Sequence, residues 1–178
     1  MRIIAGELKG RNFESVQGHR THPMSEKIRG AVFNALGDIK GLTVLDAYAG
    51  TGALGFEALS RGASQVTMID ADQKAATQMI KNRELLQLSE EQASITRAFA
   101  HSWSRRHQNE AFDIVLLDPP YDAVSPKELL LLARHAKKGG VIVLSLPPST
   151  GFVYAESKQE LLLHKSYGDA ELFIYRQL

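Results

Sequence analysis

From Leu42 to Leu146 short apolar runs alternate with helix-like stretches, and this alternation limits the folds open to the chain. Leu42–Ala47, Gln65–Ile69, Ala93–Arg97, Phe112–Leu117 and Val141–Leu146 read as strands. Gly52–Arg61, Asp72–Leu86 and Pro126–Lys137 read as the helices between them, the last stopped by Gly139-Gly140. Strand–helix–strand units close into right-handed crossovers, so the strands lie parallel with helices on both faces. The near-continuous runs Ile114–Leu117 and Val141–Leu144 suit strands buried on both faces. Glu160–Ser166 and Glu171–Arg176 read as a closing hairpin across Gly168-Asp169. The predicted fold is therefore α/β: a doubly wound, mostly parallel seven-stranded sheet with a C-terminal antiparallel hairpin.

Residues 1–40 read as a short N-terminal extension and residues 41–178 as the core. Residues 1–22 are polar and punctuated by Gly6, Gly10 and Gly18, with a short strand at Arg2–Ala5 and a hairpin through Gly10. Ser25 can cap a helix that Gly37 ends, with an apolar stripe of Ile28, Ala31, Val32, Ala35 and Leu36. Although the whole chain carries a net charge of only +1, its first 40 residues hold seven Lys/Arg against four acids. Two further basic clusters are Arg97–His107, which contains the single tryptophan Trp103, and Arg134–Lys138. An ordinary solvated surface and a polyanion partner both fit such clusters. The absence of cysteine excludes disulfides, thiolate metal sites and a cysteine nucleophile. His19 and His22 have no evident third ligand, so no metal is expected. No segment approaches the roughly 20 apolar residues of a membrane span, and no secretory signal is visible, so a cytoplasmic protein is expected.

In a sheet of this kind ligands bind at the carboxyl ends of the strands, near the point where the winding reverses. After the first core strand comes Asp46-Ala47-Tyr48-Ala49-Gly50-Thr51-Gly52. Its glycines let backbone approach a ligand, while Asp46 disfavours a phosphate and suits a cationic or amine-bearing group. After the second strand comes Asp70-Ala71-Asp72, where an acid can accept from ribose hydroxyls or cap the next helix. Asp70 is read as the ribose ligand and Asp72 as the cap, with the reverse assignment also open. After the fourth strand comes Asp118-Pro119-Pro120-Tyr121. The prolines stiffen the loop and remove two N–H donors, leaving carbonyls free to accept from a ligand. With Asp118 as a further acceptor and Tyr121 as a flat face, the group suits a planar base with an exocyclic amine.

Together these residues resemble the Rossmann-like class I S-adenosylmethionine-dependent methyltransferases, and Asp118–Tyr121 resembles the Asp/Asn-Pro-Pro-Tyr/Phe motif of those that act on amino groups. Arg2–Gly6, Gly10-Arg11, Thr21–Leu36 and Gly52–Ala63 narrow the resemblance to the bacterial small-subunit ribosomal RNA guanine-N2 methyltransferase D (RsmD) family, over essentially the whole chain. Two departures stand out. His22-Pro23-Met24 replaces that family's usual Arg-Pro-Thr, and Phe99 occupies the place of an acid after the third strand.

The resemblance implies methyl transfer from S-adenosyl-L-methionine to a guanosine N2 amine in 16S ribosomal RNA. It places cofactor contacts at Asp46, Ala47, Tyr48, Ala49, Gly50, Gly52, Asp70, Ala71, Phe99, Ala100 and Asp118. Asp118, Pro119, Pro120 and Tyr121 would hold the target base. Arg2, Lys9, Arg11, Arg20, Lys27 and Arg29 are the expected RNA-phosphate contacts, and Trp103 either stacks on a base or packs internally. The expected partner is ribosomal RNA or the small ribosomal subunit, met by a monomer with no membrane contact. An adenine-N6 methyltransferase, a non-catalytic ribosome-assembly factor that binds the same cofactor and a nicotinamide-dependent oxidoreductase are the rival readings. Asp46 and the missing G-x-G-x-x-G argue against the last.

Overall fold

The computed structural model describes residues 1–16, 24–148 and 150–178. A seven-stranded sheet runs through its centre in the order β3-β2-β1-β4-β5-β7-β6. The strands β1 (Thr43–Asp46), β2 (Gln65–Asp70), β3 (Ala93–Arg97), β4 (Phe112–Leu117) and β5 (Ala136–Leu146) are parallel. β7 (Glu171–Gln177) lies antiparallel between β5 and β6 (Gln159–Ser166), as the hairpin pattern predicts. Alternate strand residues point to opposite faces. Val44, Val66, Met68, Ile114 and Leu116 pack under α1 (Glu26–Leu36), α2 (Ala53–Ser60) and α3 (Gln73–Leu85). Leu45, Ile69, Val115 and Leu117 pack under α4 (Ala100–Arg106) and α5 (Pro126–Ala133). The winding reverses between β1 and β4, where the strand ends part.

The N-terminal segment is fastened by one buried acid. Glu57 of α2 is fully buried and accepts from the Ile4 N–H at 2.8 Å, the Ala5 N–H at 3.1 Å and Arg61 Nε at 2.8 Å. Arg29 of α1 approaches the same carboxylate at 3.7 Å and donates to the Arg2 carbonyl at 2.7 Å. Gly6 crosses directly above Ser60 at φ +83°, where a Cβ would overlap the Ser60 carbonyl. Ile3 and Phe13 thereby enter the same core as α2 and α3.

This arrangement accounts for two departures from expectation. The predicted strand at Arg2–Ala5 reduces to one antiparallel bridge, Arg2 to Asn12, because Glu57 takes the Ile4 and Ala5 N–H groups. α1 starts and stops as predicted at Ser25 and Gly37, but it buries Ile28, Arg29, Val32 and Phe33, while Ala35 is exposed. The helix turns Arg29 toward Glu57 and so rotates by about one residue from the expected stripe.

The other differences lie beyond β3. α4 was not expected, since a seven-residue helix burying only Ala100, Trp103 and Ser104 shows no apolar stripe. α5 ends at Ala133, before the predicted Lys137, and β5 begins at Ala136, running through the two glycines. His135 causes this break. It is buried between the Ser104 hydroxyl and the Glu110 carbonyl, each 2.7 Å away, and its own carbonyl accepts from the Phe112 N–H at 2.7 Å. The chain is drawn into the sheet there, and residues 137–140 bulge out opposite Asp113, which pairs with Lys137 at 2.9 Å.

Glu57→Gln would leave Arg29 buried and uncompensated, a change that typically costs about 3–5 kcal/mol. Denaturant unfolding should show a loss of that order, and amide exchange at Ile4 and Ala5 should accelerate. An unchanged midpoint would mean that the N-terminal segment is held by its apolar contacts alone.

Candidate active site

Three strand ends converge where the winding reverses. The loop after β1 is tied to both neighbouring strands: the Ala47 N–H donates to the Leu116 carbonyl at 3.1 Å, and the Ala49 N–H to the Ile69 carbonyl at 2.9 Å. Gly52 leads into α2 at φ +81°, and a side chain there would strike the Phe56 ring. The Gly50 N–H donates to Asp70 Oδ2 at 2.8 Å, and the Asp72 N–H donates to Asp70 Oδ1 at 2.8 Å. Asp70 therefore joins the ends of β1 and β2. Asp72 caps α3 through the Lys74 and Ala75 N–H groups.

Asp46 is fully buried, and its Oδ2 accepts from the Gly55 N–H at 3.0 Å. Its Oδ1 has no partner among the described residues. Burial pushes this carboxyl up to about 8, with Asp118 and Asp70 adding repulsion against the Gly55 hydrogen bond. A buried acceptor without a donor suits an ammonium, which would supply both the hydrogen bond and the missing charge.

On the other side of the reversal, burial pushes Asp118 up to about 6, opposed by a hydrogen bond with the Ser145 side chain. The Tyr121 hydroxyl lies 3.4 Å from Ser145 Oγ, and its ring is 42% exposed. Among the described residues the Pro119 carbonyl accepts no hydrogen bond, while that of Pro120 is taken by the Ala123 N–H at 2.9 Å. Ser145 itself was not expected at the site. It is 2% exposed at the end of β5, and the one signal for it was a hydroxyl inside the apolar run Val141–Leu146.

After β3, Phe99 is 65% exposed and its ring stacks on that of His101 at 5.8 Å, while Ala100 is buried behind it. The Ala71 carbonyl accepts from Arg97 Nε at 3.4 Å. Tyr48 donates to Glu128 Oε1 at 2.8 Å and so fastens the glycine loop to α5. Burial and that carboxylate push its hydroxyl well above the ordinary range for tyrosine.

The N-terminal cations separate into distinct environments. Arg29 is 1% exposed, held inside by the Glu57 carboxylate, and so does not match the expected phosphate contact. Arg11 is half-buried and donates to the Leu85 and Leu86 carbonyls at 2.7 and 2.9 Å, serving the unpaired end of α3. Arg2 pairs on the surface with Glu26 at 2.9 Å, and Lys9 and Lys27 are exposed. Arg20 lies outside the described residues, as do His19 and His22. Trp103 is 2% exposed and packs on His107 at 4.5 Å, which leaves it no face for a base. Among the described residues no cluster of His, Asp or Glu could hold a metal ion, and no helix is long and apolar enough to cross a membrane.

A family model described as conserved hypothetical protein 95 matches residues 1–176. The Bacillus subtilis protein YlbH is 34% identical over 174 residues, 95% of this chain and 89% of that one. The ribosomal RNA small subunit methyltransferase D of Haemophilus influenzae is 38% identical over 123 residues, 68% of this chain and 64% of that one. The solved structure of Escherichia coli yhhF superposes with a TM-score of 0.88 at 29% identity, over 99% of this chain and 97% of that one.

The two buried carboxyls make the ligand-free protein sensitive to base. Both carry folded-state values raised above the ordinary 3.8, so the stability they contribute is complete below about 4. It declines as pH rises through about 6 for Asp118 and about 8 for Asp46. Asp46→Asn should flatten this decline and raise the Tm at pH 8.5, by about 2–4 °C for each kcal/mol recovered. Thermal melts from pH 5 to 9 read this directly, and parallel curves for the two proteins would contradict it.

Proposed function

The chain belongs to the conserved hypothetical protein 95 family, which includes the ribosomal RNA small subunit methyltransferases D, and from that premise we propose that it methylates the exocyclic N2 amine of a guanosine in small-subunit ribosomal RNA. The fold is the Rossmann-like architecture of the class I methyltransferases. The observation that carries the chemistry is two successive acceptors after β4, Asp118 and the Pro119 carbonyl, which accepts no hydrogen bond among the described residues, with the half-exposed Tyr121 two residues on.

The cofactor is S-adenosylmethionine, which supplies an electrophilic methyl group on a sulfonium. The residues present fit it. The unpartnered Asp46 Oδ1 suits its amino group. The Asp70 carboxylate, held against Gly50, suits the ribose hydroxyls. The backbone of Ala47, Tyr48, Ala49, Gly50 and Gly52 would hold the cofactor after β1, and Ala71, Phe99 and Ala100 would meet its adenine. There the exposed Phe99 ring offers stacking in place of an acidic acceptor.

A guanine N2 is a weak nucleophile because its lone pair is delocalised into the ring. Asp118 and the Pro119 carbonyl would accept its two hydrogens and favour the pyramidal geometry in which the pair is available. Pro120 stiffens the loop, and Tyr121 stacks on the unstacked base and aims it. The N2 lone pair would form the new N–C bond as the bond from the methyl carbon to the sulfonium breaks, its electron pair leaving with sulfur as the neutral thioether S-adenosylhomocysteine, and the proton then shed would pass to Asp118 or to water. Because positive charge develops on that nitrogen, acceptors aimed at it stabilise the transition state more than the ground state. On the substrate side, Arg2, Lys9 and Lys27 are the exposed N-terminal cations left to meet phosphate.

Labelled S-adenosylmethionine incubated with unmodified small ribosomal subunits, free ribosomal RNA and duplex DNA tests the proposal. N2-methylguanosine is expected from the ribosomal samples, and N6-methyladenine would overturn it. Asp118→Ala should lower kcat by about 10²-fold or more, a loss larger than any change in S-adenosylhomocysteine affinity, and unchanged turnover would remove Asp118 from the mechanism. The hydrogen bond from Ser145 favours ionised Asp118, so Ser145→Ala should move the acid limb of kcat/KM to higher pH. An unmoved limb would show that the limb does not report Asp118.

A further inference from the structure

Outside the site, a groove of about 590 Å³ runs between the outer face of α5 and the edge formed by β6 and β7. Its lining includes Lys127, Leu130 and Arg134 from the helix, with Lys158, Gln159 and Gln177 from the hairpin side. No acid lines it. Among the described residues none of its three cations forms an ion pair, whereas nearby Lys137 and Arg176 are paired with Asp113 and Glu160. Lys127 and Arg134 are seven residues apart, two turns along one helix face, which separates them by about 10 Å.

Two other features distinguish the groove from a solvated basic surface. Leu130 is 48% exposed between the cations, so apolar area is available beside the charge. Gln159 is 6% exposed, and only one end of its amide is used, in a 3.0 Å hydrogen bond to Gln177. The other end, Oε1, is buried without a partner. α5 is the next element after the Asp118–Tyr121 loop in the chain, while Gln159 and Gln177 pair at the amino ends of the parallel strands, so the groove leads away from that loop along α5.

We propose that this groove docks a sugar–phosphate segment of the RNA substrate flanking the target nucleotide, an inference that rests on the ribosomal RNA reading above. Lys127, Arg134 and Lys158 neutralise successive phosphates without reading sequence. Leu130 lies against sugar, and the unused Gln159 amide faces a 2′-hydroxyl, a group that RNA carries and DNA lacks. Charge complementarity selects the occupant: a groove with three unpaired cations and no acid meets a polyanion at little desolvation cost to partner groups.

The test compares the wild type with the triple variant Lys127→Gln, Arg134→Gln, Lys158→Gln, whose side chains stay polar and leave the core untouched. Methylation of unmodified small ribosomal subunits and binding to them across a salt series are both measured. S-adenosylhomocysteine affinity and Tm serve as controls for folding. The variant should show a KM raised about tenfold or more, a kcat within about twofold and cofactor affinity unchanged. Its log Kd against log salt should lose about 2–3 from the slope, since each phosphate contact contributes roughly 0.7–0.9. An unchanged slope with unchanged KM overturns the groove. Lost affinity with an unchanged slope also overturns it, because the groove would then seat a ribosomal protein. If the wild type labels no RNA, the methyltransferase reading fails, and the salt slope of binding still decides the groove by the same criterion.

Discussion

β1 pairs with β2 on one side and with β4 on the other, and the candidate chemistry lies where those two pairings part. A strand between neighbours whose connections leave in opposite directions has no helix directly above its end. The gap must be bridged by loop backbone. Here the bridge is made by the Ala47 and Ala49 N–H groups to opposite neighbours and by Gly50 to Asp70. Those bonds fix the loop before any ligand arrives, so binding need not order it. Each of the side chains around the gap then comes from a different strand end: Asp46 from β1, Asp70 from β2, Phe99 from β3, Asp118 from β4 and Ser145 from β5.

The arrangement stores unfavourable electrostatics in the ligand-free protein. Two carboxyls are pushed up by burial, and one carboxylate oxygen has no donor. A protein selected only for stability would place apolar groups there. The same placement makes a cationic ligand attractive, because its charge removes a penalty already present. The Ser145 hydroxyl works in the opposite sense at Asp118, holding that group closer to its ionised form. Each acid is thus raised by burial and drawn back by one hydrogen bond, from the Gly55 N–H at Asp46 and with Ser145 at Asp118.

What was legible in the sequence was local. The strands are continuous apolar runs, and Ser25, Gly37 and Asp72 mark helix ends through bonds within a few residues. The strand ends followed from that order, and with them Asp46, Asp70 and Asp118. Features that depend on distant partners were not legible. The end of α5 is set by His135 meeting Ser104 and Glu110 across the fold. α4 is too short to carry a pattern of its own. Arg29 and Arg11 look like free surface cations in a basic stretch, and only their distant partners, Glu57 and the end of α3, show that Arg29 faces inward and that Arg11 is tied to a helix end. Ser145 was visible as a polar break in an apolar strand, but its purpose depends on where β4 and β5 end together.

The fastening of the N-terminal segment by Glu57 also bears on the order in which the molecule can assemble. During synthesis residues 1–14 leave the ribosome long before Glu57 and Ser60, the groups that receive their backbone. That segment therefore cannot settle until the glycine loop and α2 have followed it. Until then its apolar anchors, Ile3 and Phe13, have no core to enter. Residues 1–14 thus close over groups that later residues supply, and their place in the fold is set from the middle of the chain.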